Sequence, residues 1–372
     1  MSARELLKQA EFNMQVCNAC RYCEGLCAVF PAMERRLSFS ENDLHYLANL
    51  CHQCGACYYD CQYAPPHEFN VNIPRNFAEL RGKTYQRFAW PAAFANFFDN
   101  NGTVVSIVTA LSIAVLFLMA FYLAQPGAMF AADATPGSFY RILSHNAMVG
   151  TFMAVGIFVF IALVVGFLRF WRYIGEDLGE FFRPVTLVHG IVDVLKLRYL
   201  DGDGEGCNYP GEDASDNRRV FHHFTFYGFL LCFAATAVGT IYHYVFQWDA
   251  PYAYSSLPVI LGTLGGIGLL VGPAGLLWLK ARRDYEPTEP TQLGMDVGFL
   301  HLLFFTSLTG LILLIMRATP VMGVLLALHL GFVLALFLTL PYGKFVHAVY
   351  RFAAVVRYAL ERSRPAPNVT FE

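Results

Sequence analysis

Eight of the ten cysteines in this chain stand in two short runs that share one spacing. Both runs read C-x2-C-x2-C-x3-C, and their members are Cys17, Cys20, Cys23 and Cys27 in the first and Cys51, Cys54, Cys57 and Cys61 in the second. A cubane cluster needs thiolates from several directions, and a tight C-x2-C-x2-C loop supplies three of them. The spacing therefore predicts two [4Fe–4S] clusters.

The fourth cysteine of each run decides how the ligands are shared between the clusters. In two-cluster ferredoxins this cysteine crosses over to the other cluster. On that pattern the predicted ligand sets are Cys17, Cys20, Cys23 and Cys61 for the first cluster and Cys51, Cys54, Cys57 and Cys27 for the second. The proline that usually follows the fourth cysteine is absent, since Ala28 and Gln62 stand there. This departure bears on the crossover more than on the clusters.

Zinc is the alternative occupant of such cysteines. Structural zinc sites usually use paired C-x2-C knuckles with a longer gap between them, which fits this spacing poorly. The remaining cysteines are isolated in the sequence: we give Cys207 no ligand role and read Cys232 as a small buried apolar residue.

Several histidines fall inside or beside apolar segments, where an ionisable group is costly and is a candidate for function. A haem b iron held by two imidazoles needs one histidine from each of two facing helices. The third apolar segment carries His222 and His223 at one end and His243 near the other, and the sixth carries His329 and, beyond it, His347. Antiparallel helices would match His222 or His223 with His347, and His243 with His329.

Helical periodicity favours His222 over His223 as the partner, because His222 lies closer to the helix face that carries His243. It also places His329 and His347 on one face, if the helix continues past Pro341. His145 and His301 are reserve ligands. A membrane histidine that only hydrogen-bonds to a neighbouring helix remains the simpler alternative. His52 and the other soluble or interfacial histidines receive no ligand role.

The elements that position these residues follow from the composition. The chain has 372 residues, of which 56% are hydrophobic and only 15% charged, against about 25% charged in a typical soluble domain. Six apolar segments are long enough to cross about 30 Å of hydrocarbon. They lie near 103–124, 147–169, 222–247, 257–279, 297–316 and 321–341.

Lysine and arginine indicate the orientation of these segments. One set of connections is rich in them, with Arg172, Arg183, Lys196, Arg198, Arg218, Arg219, Lys280, Arg282, Arg283, Lys344, Arg351 and Arg357. The opposite set holds only Arg141 and Arg317. Six spans then place both termini in the cytoplasm. The first residues lack the apolar core of a signal peptide, so the clustered cysteines are expected there too, where disulfides rarely persist.

The sequence thus predicts an all-α membrane protein: a six-helix transmembrane bundle with an N-terminal dicluster ferredoxin-like iron–sulfur domain. We assign residues 1–100 to the cytoplasmic cluster domain and its connecting segment, 101–350 to the haem b membrane domain and 351–372 to a cytoplasmic amphipathic tail. The acidic, glycine-rich part of the long connection 171–220 is read either as a docking surface or as a solvated loop.

Long stretches of the chain closely resemble the tricarballylate utilization protein B family, also called TcuB or CitB. The stretches are CNACRYCEGLCAVFPAMERR, LANLCHQCGACYYDCQYAPPHEFNVNIP, HHFTFYGFLLCFAATAVGTIYHY, LGTLGGIGLLVGPAGLLWL and LHLGFVLALFLTLPYGKFVHAVYR. The chain is also similar to the C-terminal half of CobZ, in which a flavoprotein is fused to such a module. The resemblance covers nearly the whole sequence.

This resemblance implies a flavoprotein partner that oxidises tricarballylate to cis-aconitate and reduces its FAD. It implies that the chain reoxidises the FADH2 through iron–sulfur clusters and haem b and delivers electrons to the quinone pool of the bacterial inner membrane. The eight cysteines match the cluster motifs of the family. The fused relative acts in cobalamin synthesis, so the substrate belongs to the partner.

The residues themselves favour the same type of activity. The sequence contains no G-x-G-x-x-G after a strand and no evident serine–histidine or paired-carboxylate site, and nothing indicates nucleic acid as a partner. We expect an electron-transfer subunit whose substrate chemistry lies on a partner chain. The alternatives are a membrane-anchored cluster-binding redox sensor or anchor and, less favoured, a transporter, for which the spans lack buried carboxylates.

Overall fold

The computed structural model of the protein describes residues 3–365. Within that range the chain forms fifteen α-helices and one short hairpin. The helices are α1 (Ala3–Cys20), α2 (Val29–Glu34), α3 (Glu41–Leu50), α4 (Ala56–Tyr59), α5 (Ile73–Phe88), α6 (Asn101–Leu123), α7 (Ser138–Ile142), α8 (His145–Tyr173), α9 (Leu178–Phe181), α10 (Pro184–Leu195), α11 (Asn217–Tyr244), α12 (Leu257–Ala281), α13 (Leu293–Met316), α14 (Met322–Thr339) and α15 (Val346–Ser363). The hairpin pairs strand β1 (Cys207–Asn208) with strand β2 (Ala214–Ser215).

Two helices of the N-terminal region, α3 and α5, begin at residues whose side chains cap them. Ser40 accepts a hydrogen bond from the Asp43 amide while the Asp43 side chain accepts one from the Ser40 amide, which makes a capping box at the start of α3. Asn72 caps α5 in the same way through the Arg75 amide, and Pro74 occupies its first turn. These caps mark where the two cysteine-bearing connections, before α3 and before α5, end.

Six helices are long and apolar enough to cross a membrane: α6, α8 and α11 to α14. The shortest of them, α14, is extended by a 3-10 turn, so that the apolar segment runs over Met322–Tyr342. Each lies within a few residues of a segment that the sequence predicts. The all-α architecture with six membrane-spanning helices is confirmed.

The spanning helices pack in a chain of neighbours. α11 lies along α12, α12 packs on α13, α13 on α14, and α14 on α6. Glycines let α11 and α12 approach closely, as small residues do in membrane helix pairs. A Cβ added at Gly228 would lie 2.9 Å from the backbone oxygen of Gly265 and from the backbone nitrogen of Leu269.

The sixth span does not continue as one helix into the C-terminal segment. α14 ends at Thr339, a 3-10 turn covers Leu340–Tyr342, and α15 begins at Val346. Pro341 lacks an amide proton and clashes with the preceding turn, so the helix ends there. The expectation that His329 and His347 share a face of one continuous helix is therefore wrong.

The helix α15 is the amphipathic element expected near the C terminus, and its apolar face is covered. It packs on α10, α3 and α8, and Ala353, Ala354, Val356 and Leu360 are fully buried in one core with the N-terminal helices. The last seven residues of the predicted tail, 366–372, lie outside the described residues. The domain boundaries near 100 and 350 stay a prediction.

The connection 171–220 is more ordered than a solvated loop. It contains α9, α10 and the hairpin of β1 and β2. Leu197, Leu200 and Cys207 are buried together with Cys54 and Ala56 of the second cysteine run. This segment therefore lies against the cysteine-bearing part of the chain.

Candidate redox site

The end of α1 and the loop after α4 bring together the cysteines predicted for the first cluster. Burial, followed by the nearby thiols of Cys23, Cys61 and Cys20, raises the pKa of Cys17 to about 12. Burial also raises the pKa of Cys23 to about 12, and Cys61 and Cys20 contribute to that shift as well. The four thiols line a common cavity of about 280 Å³. The fourth cysteine of the second run thus lies with the first three of the first run.

The cysteines predicted for the second cluster lie around the start of α4. Burial, followed by the nearby thiols of Cys54 and Cys51, raises the pKa of Cys27. Burial also raises the pKa of Cys57, where Cys54, Cys51 and Cys27 contribute, followed by Cys23 of the other set. Cys57 therefore lies between the two sets, which makes them neighbours.

A thiol that the sequence did not single out lies beside the second set. Cys207 is fully buried and hydrogen-bonds with Cys54. This bond lowers the pKa of Cys54 to about 7, while bonding to Cys54 and burial raise the pKa of Cys207. Gly55 has a φ of 89° and sits against the backbone carbonyl of Asn208, so a side chain there would displace the hairpin.

The donor set fits a metal cluster. A bound cation removes the proton from a ligating thiol, which offsets the cost of burying several ionised thiols together. Within residues 3–365 no three His, Cys, Asp or Glu side chains converge closely enough to hold a single metal ion. Five thiols, those of Cys17, Cys20, Cys23, Cys57 and Cys61, line one cavity and are the donor type that an iron–sulfur cluster uses.

Three arginines hold the loop of the second set. Arg351 of α15 donates from Nη2 to the Cys51 carbonyl at 2.9 Å, and Arg81 of α5 donates to the same oxygen from Nη1 at 3.1 Å. Arg218, at the start of α11, donates to the Gln53 carbonyl. Helices from both regions of the chain therefore fix this loop.

Beneath the loop, two of the predicted haem ligands lie face to edge. The ring centres of His222 in α11 and His347 in α15 are 6.2 Å apart, with an angle of 81° between the ring planes. The Nδ1 atom of His347 lies 2.6 Å from the Lys344 carbonyl. His222 Nδ1 is buried and has no hydrogen-bond partner among the described residues. His52, which received no ligand role, is buried and close enough to His222 and Arg351 for their charges to lower its pKa further, after burial.

The distance between the two rings leaves room for a metal ion between them, since a metal–imidazole bond is about 2 Å long. Histidines from two different helices are also the ligand type that a haem b would use. His222 and His347 are therefore a predicted pair that the structure brings together. His223 instead lies beside Tyr227, with ring centres 5.8 Å apart.

His243 lies near a different histidine from the one that depth matching suggests. Its ring stacks on His145 with centres 3.8 Å apart, and its Nδ1 lies 3.1 Å from an Asp249 oxygen. His145 Nε2 lies 3.2 Å from the hydroxyl of Tyr244. The reserve ligand His145 and His243 thus form one polar cluster at the end of the bundle opposite to His222.

His329 and His301 are occupied by local hydrogen bonds. His329 Nδ1 lies 3.1 Å from the Thr306 carbonyl and 3.3 Å from the Thr309 hydroxyl of α13. His301 Nδ1 lies 2.9 Å from the Val297 carbonyl one turn earlier in its own helix, and the residue is exposed. Both arrangements match the simpler alternative of a membrane histidine that bonds to a helix.

The chain matches two models of one protein family. The model described as Citrate utilization protein B covers residues 101–368, and the model described as Citrate utilization protein B Fer4-like domain covers residues 10–87. A curated relative, the Citrate utilization protein B of Escherichia coli, is 51% identical over 357 residues, which is 96% of this chain and 93% of the relative. No solved structure matches the chain.

Proposed function

Because the chain belongs to the citrate utilization protein B family, we propose that it is a membrane electron-transfer protein that passes electrons from the reduced flavin of a partner dehydrogenase to the membrane quinone pool. The name of its relative and the resemblance described above favour a partner that oxidises tricarballylate or a related tricarboxylate. In this proposal the substrate chemistry belongs to the partner, and this chain lies in the bacterial inner membrane with both termini in the cytoplasm.

The observation that carries the proposal is the contiguity of the cysteines and histidines. Cys57 lies within electrostatic reach of Cys23 in the first set and of Cys51 in its own. His52, one residue after Cys51, is near His222, which faces His347. Successive ligand sites this close support electron transfer from the cysteine-bearing loops to the membrane helices.

In this proposal each group of residues would hold a different cofactor. Cys17, Cys20, Cys23 and Cys61 would hold one cluster, and Cys27, Cys51, Cys54 and Cys57 the other. His222 and His347 would hold a haem b through their ring nitrogens. When bound, these groups supply one-electron carriers. His222 lies near the start of the spanning helix α11, so the pair would be at the end of the bundle that faces the cysteine-bearing loops.

Neighbouring histidines in α11 make a matched test of the proposal. The chain, His222→Ala and the control His223→Ala are purified in detergent, haem is measured as pyridine haemochrome, and each chain is returned to vesicles with a water-insoluble quinone. We expect haem and quinone reduction by a reduced flavoprotein to fall at least tenfold in His222→Ala and to stay near normal in His223→Ala.

The outcomes separate the two main functions. Haem loss together with lost quinone reduction in His222→Ala alone supports the electron-transfer protein. An unmodified chain that carries clusters but reduces no quinone would contradict it and favour a membrane-anchored redox sensor or anchor. Equal haem in all three chains would remove His222 from the ligands.

A further inference from the structure

The loop of the second cysteine set lies in an unusual concentration of positive charge. Arg81, Arg218 and Arg351 all donate to its backbone carbonyls. Arg81 is only 2% exposed, and the Nε of Arg351 is buried without a hydrogen-bond partner among the described residues. In the part of the chain that the structure describes, none of the three lies within ion-pair distance of a carboxylate.

Two half-buried arginines near the C-terminal helix α15 are neutralised by carboxylates. Arg36 lies 2.6 Å from an Asp43 oxygen and 2.5 Å from a Glu361 oxygen. Arg357 is paired with Glu361 at 3.4 Å. Arg81, Arg218 and Arg351 instead have backbone carbonyls as partners, so no neighbouring carboxylate cancels their positive charge at the second cysteine set.

The first cysteine set has the opposite surroundings. The carboxylate-bearing residue Asp60 lines the same cavity as the four thiols of the first set. Arg21 also lines the cavity, but it is exposed and donates to the Asn18 carbonyl at 3.0 Å. The first set is therefore more open to solvent and has less positive charge than the second.

We propose that Arg81, Arg218 and Arg351 raise the reduction potential at the second cysteine set above that at the first, so that they direct electrons toward the membrane histidines. A cluster held by four thiolates is an anion and gains one more negative charge on reduction, which nearby cations stabilise. The electron that reduces the second site leaves the first site oxidised by one electron, and no proton is needed. This inference rests on the proposed function, which supplies the clusters and the flavin donor.

The expected effect is large because Arg81 is buried and Arg218 and Arg351 are half-buried. Coulomb interactions weaken with the local dielectric constant, and the effective value near a protein surface is several times lower than in water. Removal of one guanidinium charge should shift the distribution of an electron between the two sites at least tenfold, which is about 59 mV for a one-electron couple. The second site should become the harder of the two to reduce.

A redox titration followed by electron paramagnetic resonance tests this in the full chain in detergent. Arg351→Gln removes the charge, Arg351→Lys keeps it but loses the planar donor, and Arg172→Gln removes an exposed cytoplasmic charge as the control. We expect the potential of one cluster to fall in Arg351→Gln, to recover most of its value in Arg351→Lys and to stay unchanged in Arg172→Gln. Iron content is measured on every sample.

Arg218→Gln is the second neutral variant, because its side chain lies at the start of α11, stacked on Tyr209, rather than in the core. Two cluster signals with unshifted potentials in both neutral variants would overturn the inference and leave the proposed function intact. If both neutral variants lost the signal of the second cluster and kept that of the first, the inference would also be overturned. The arginines would then only hold the loop. An unmodified chain without cluster signals would contradict the proposed function itself.

Discussion

The closest approach of α11 and α12 gives a stability prediction whose size follows from the structure. In Gly228→Ala the new methyl carbon would lie 2.9 Å from the Gly265 oxygen and 2.9 Å from the Leu269 nitrogen. Both are backbone atoms of α12, so no side-chain rotation relieves the contact. The two helices must move apart along their length.

The cost can be estimated from two opposing effects. Overpacking of a close contact costs about 1–3 kcal/mol, and rigid backbone on the other side places this site at the upper end. Replacement of glycine by alanine in a helix interior returns about 1 kcal/mol. We expect Gly228→Ala to lose about 2 kcal/mol of unfolding free energy.

Gly156→Ala in α8 is the matched control, since nothing lies within 4 Å of its added Cβ. It should gain up to about 1 kcal/mol from helix propensity, so the two variants should differ by about 3 kcal/mol. The assay is equilibrium unfolding in mixed micelles of mild detergent and dodecyl sulfate, followed by tryptophan fluorescence. Equal stability of the two variants would refute the tight helix contact.

Two further predictions concern the ionisable residues Asp296 and His45. Asp296→Asn should cost about 3–5 kcal/mol, because Lys280 and Lys344 place their ammonium groups 2.7 and 2.6 Å from its carboxylate; the same unfolding assay measures this, and a second change, Lys344→Met, should restore part of the loss. Burial lowers the pKa of His45 to about 4, so the folded state keeps the imidazole neutral while the unfolded state protonates near pH 6.5. The contribution of neutral His45 to the unfolding free energy is therefore complete above pH 6.5. It is lost as the pH falls toward 4, and the loss is about 3 kcal/mol at most. His45→Gln should flatten the unfolding free energy over this interval, and a slope identical to that of the unmodified chain would contradict the buried neutral state.

Local patterns were enough to predict the class of fold. Twenty-residue apolar segments must become helices in a membrane, because no other backbone arrangement of one segment satisfies its hydrogen bonds there. The six helices accordingly begin and end within a few residues of the predicted segments. What the pattern missed was the break after α14, since a proline near a helix end can either kink the helix or end it.

The sequence was a poorer guide to which side chains from distant segments lie together. Hydropathy does not fix the rotation or tilt of a span, so the stacking of His145 on His243 was not foreseen. Cys207 lies 146 residues after Cys61, the last cysteine of the second run, in a segment with no periodicity that relates it to Cys54. The arginine pair Arg218 and Arg351 was read only as a sign of orientation, because charge near a span end carries no information on which loop it contacts.

The position of α15 has a consequence for how the protein is made. Arg36 and Tyr46, near the start of the chain, bond to Glu361 close to its end, more than 300 residues later. The ribosome must therefore release nearly the whole chain, and all six spans must be inserted, before the first helices find their last packing partner. Domains usually mature in the order of synthesis, but here the first region to emerge is the last to close. The cysteine-bearing region can therefore reach its final packing only after α15 has been made.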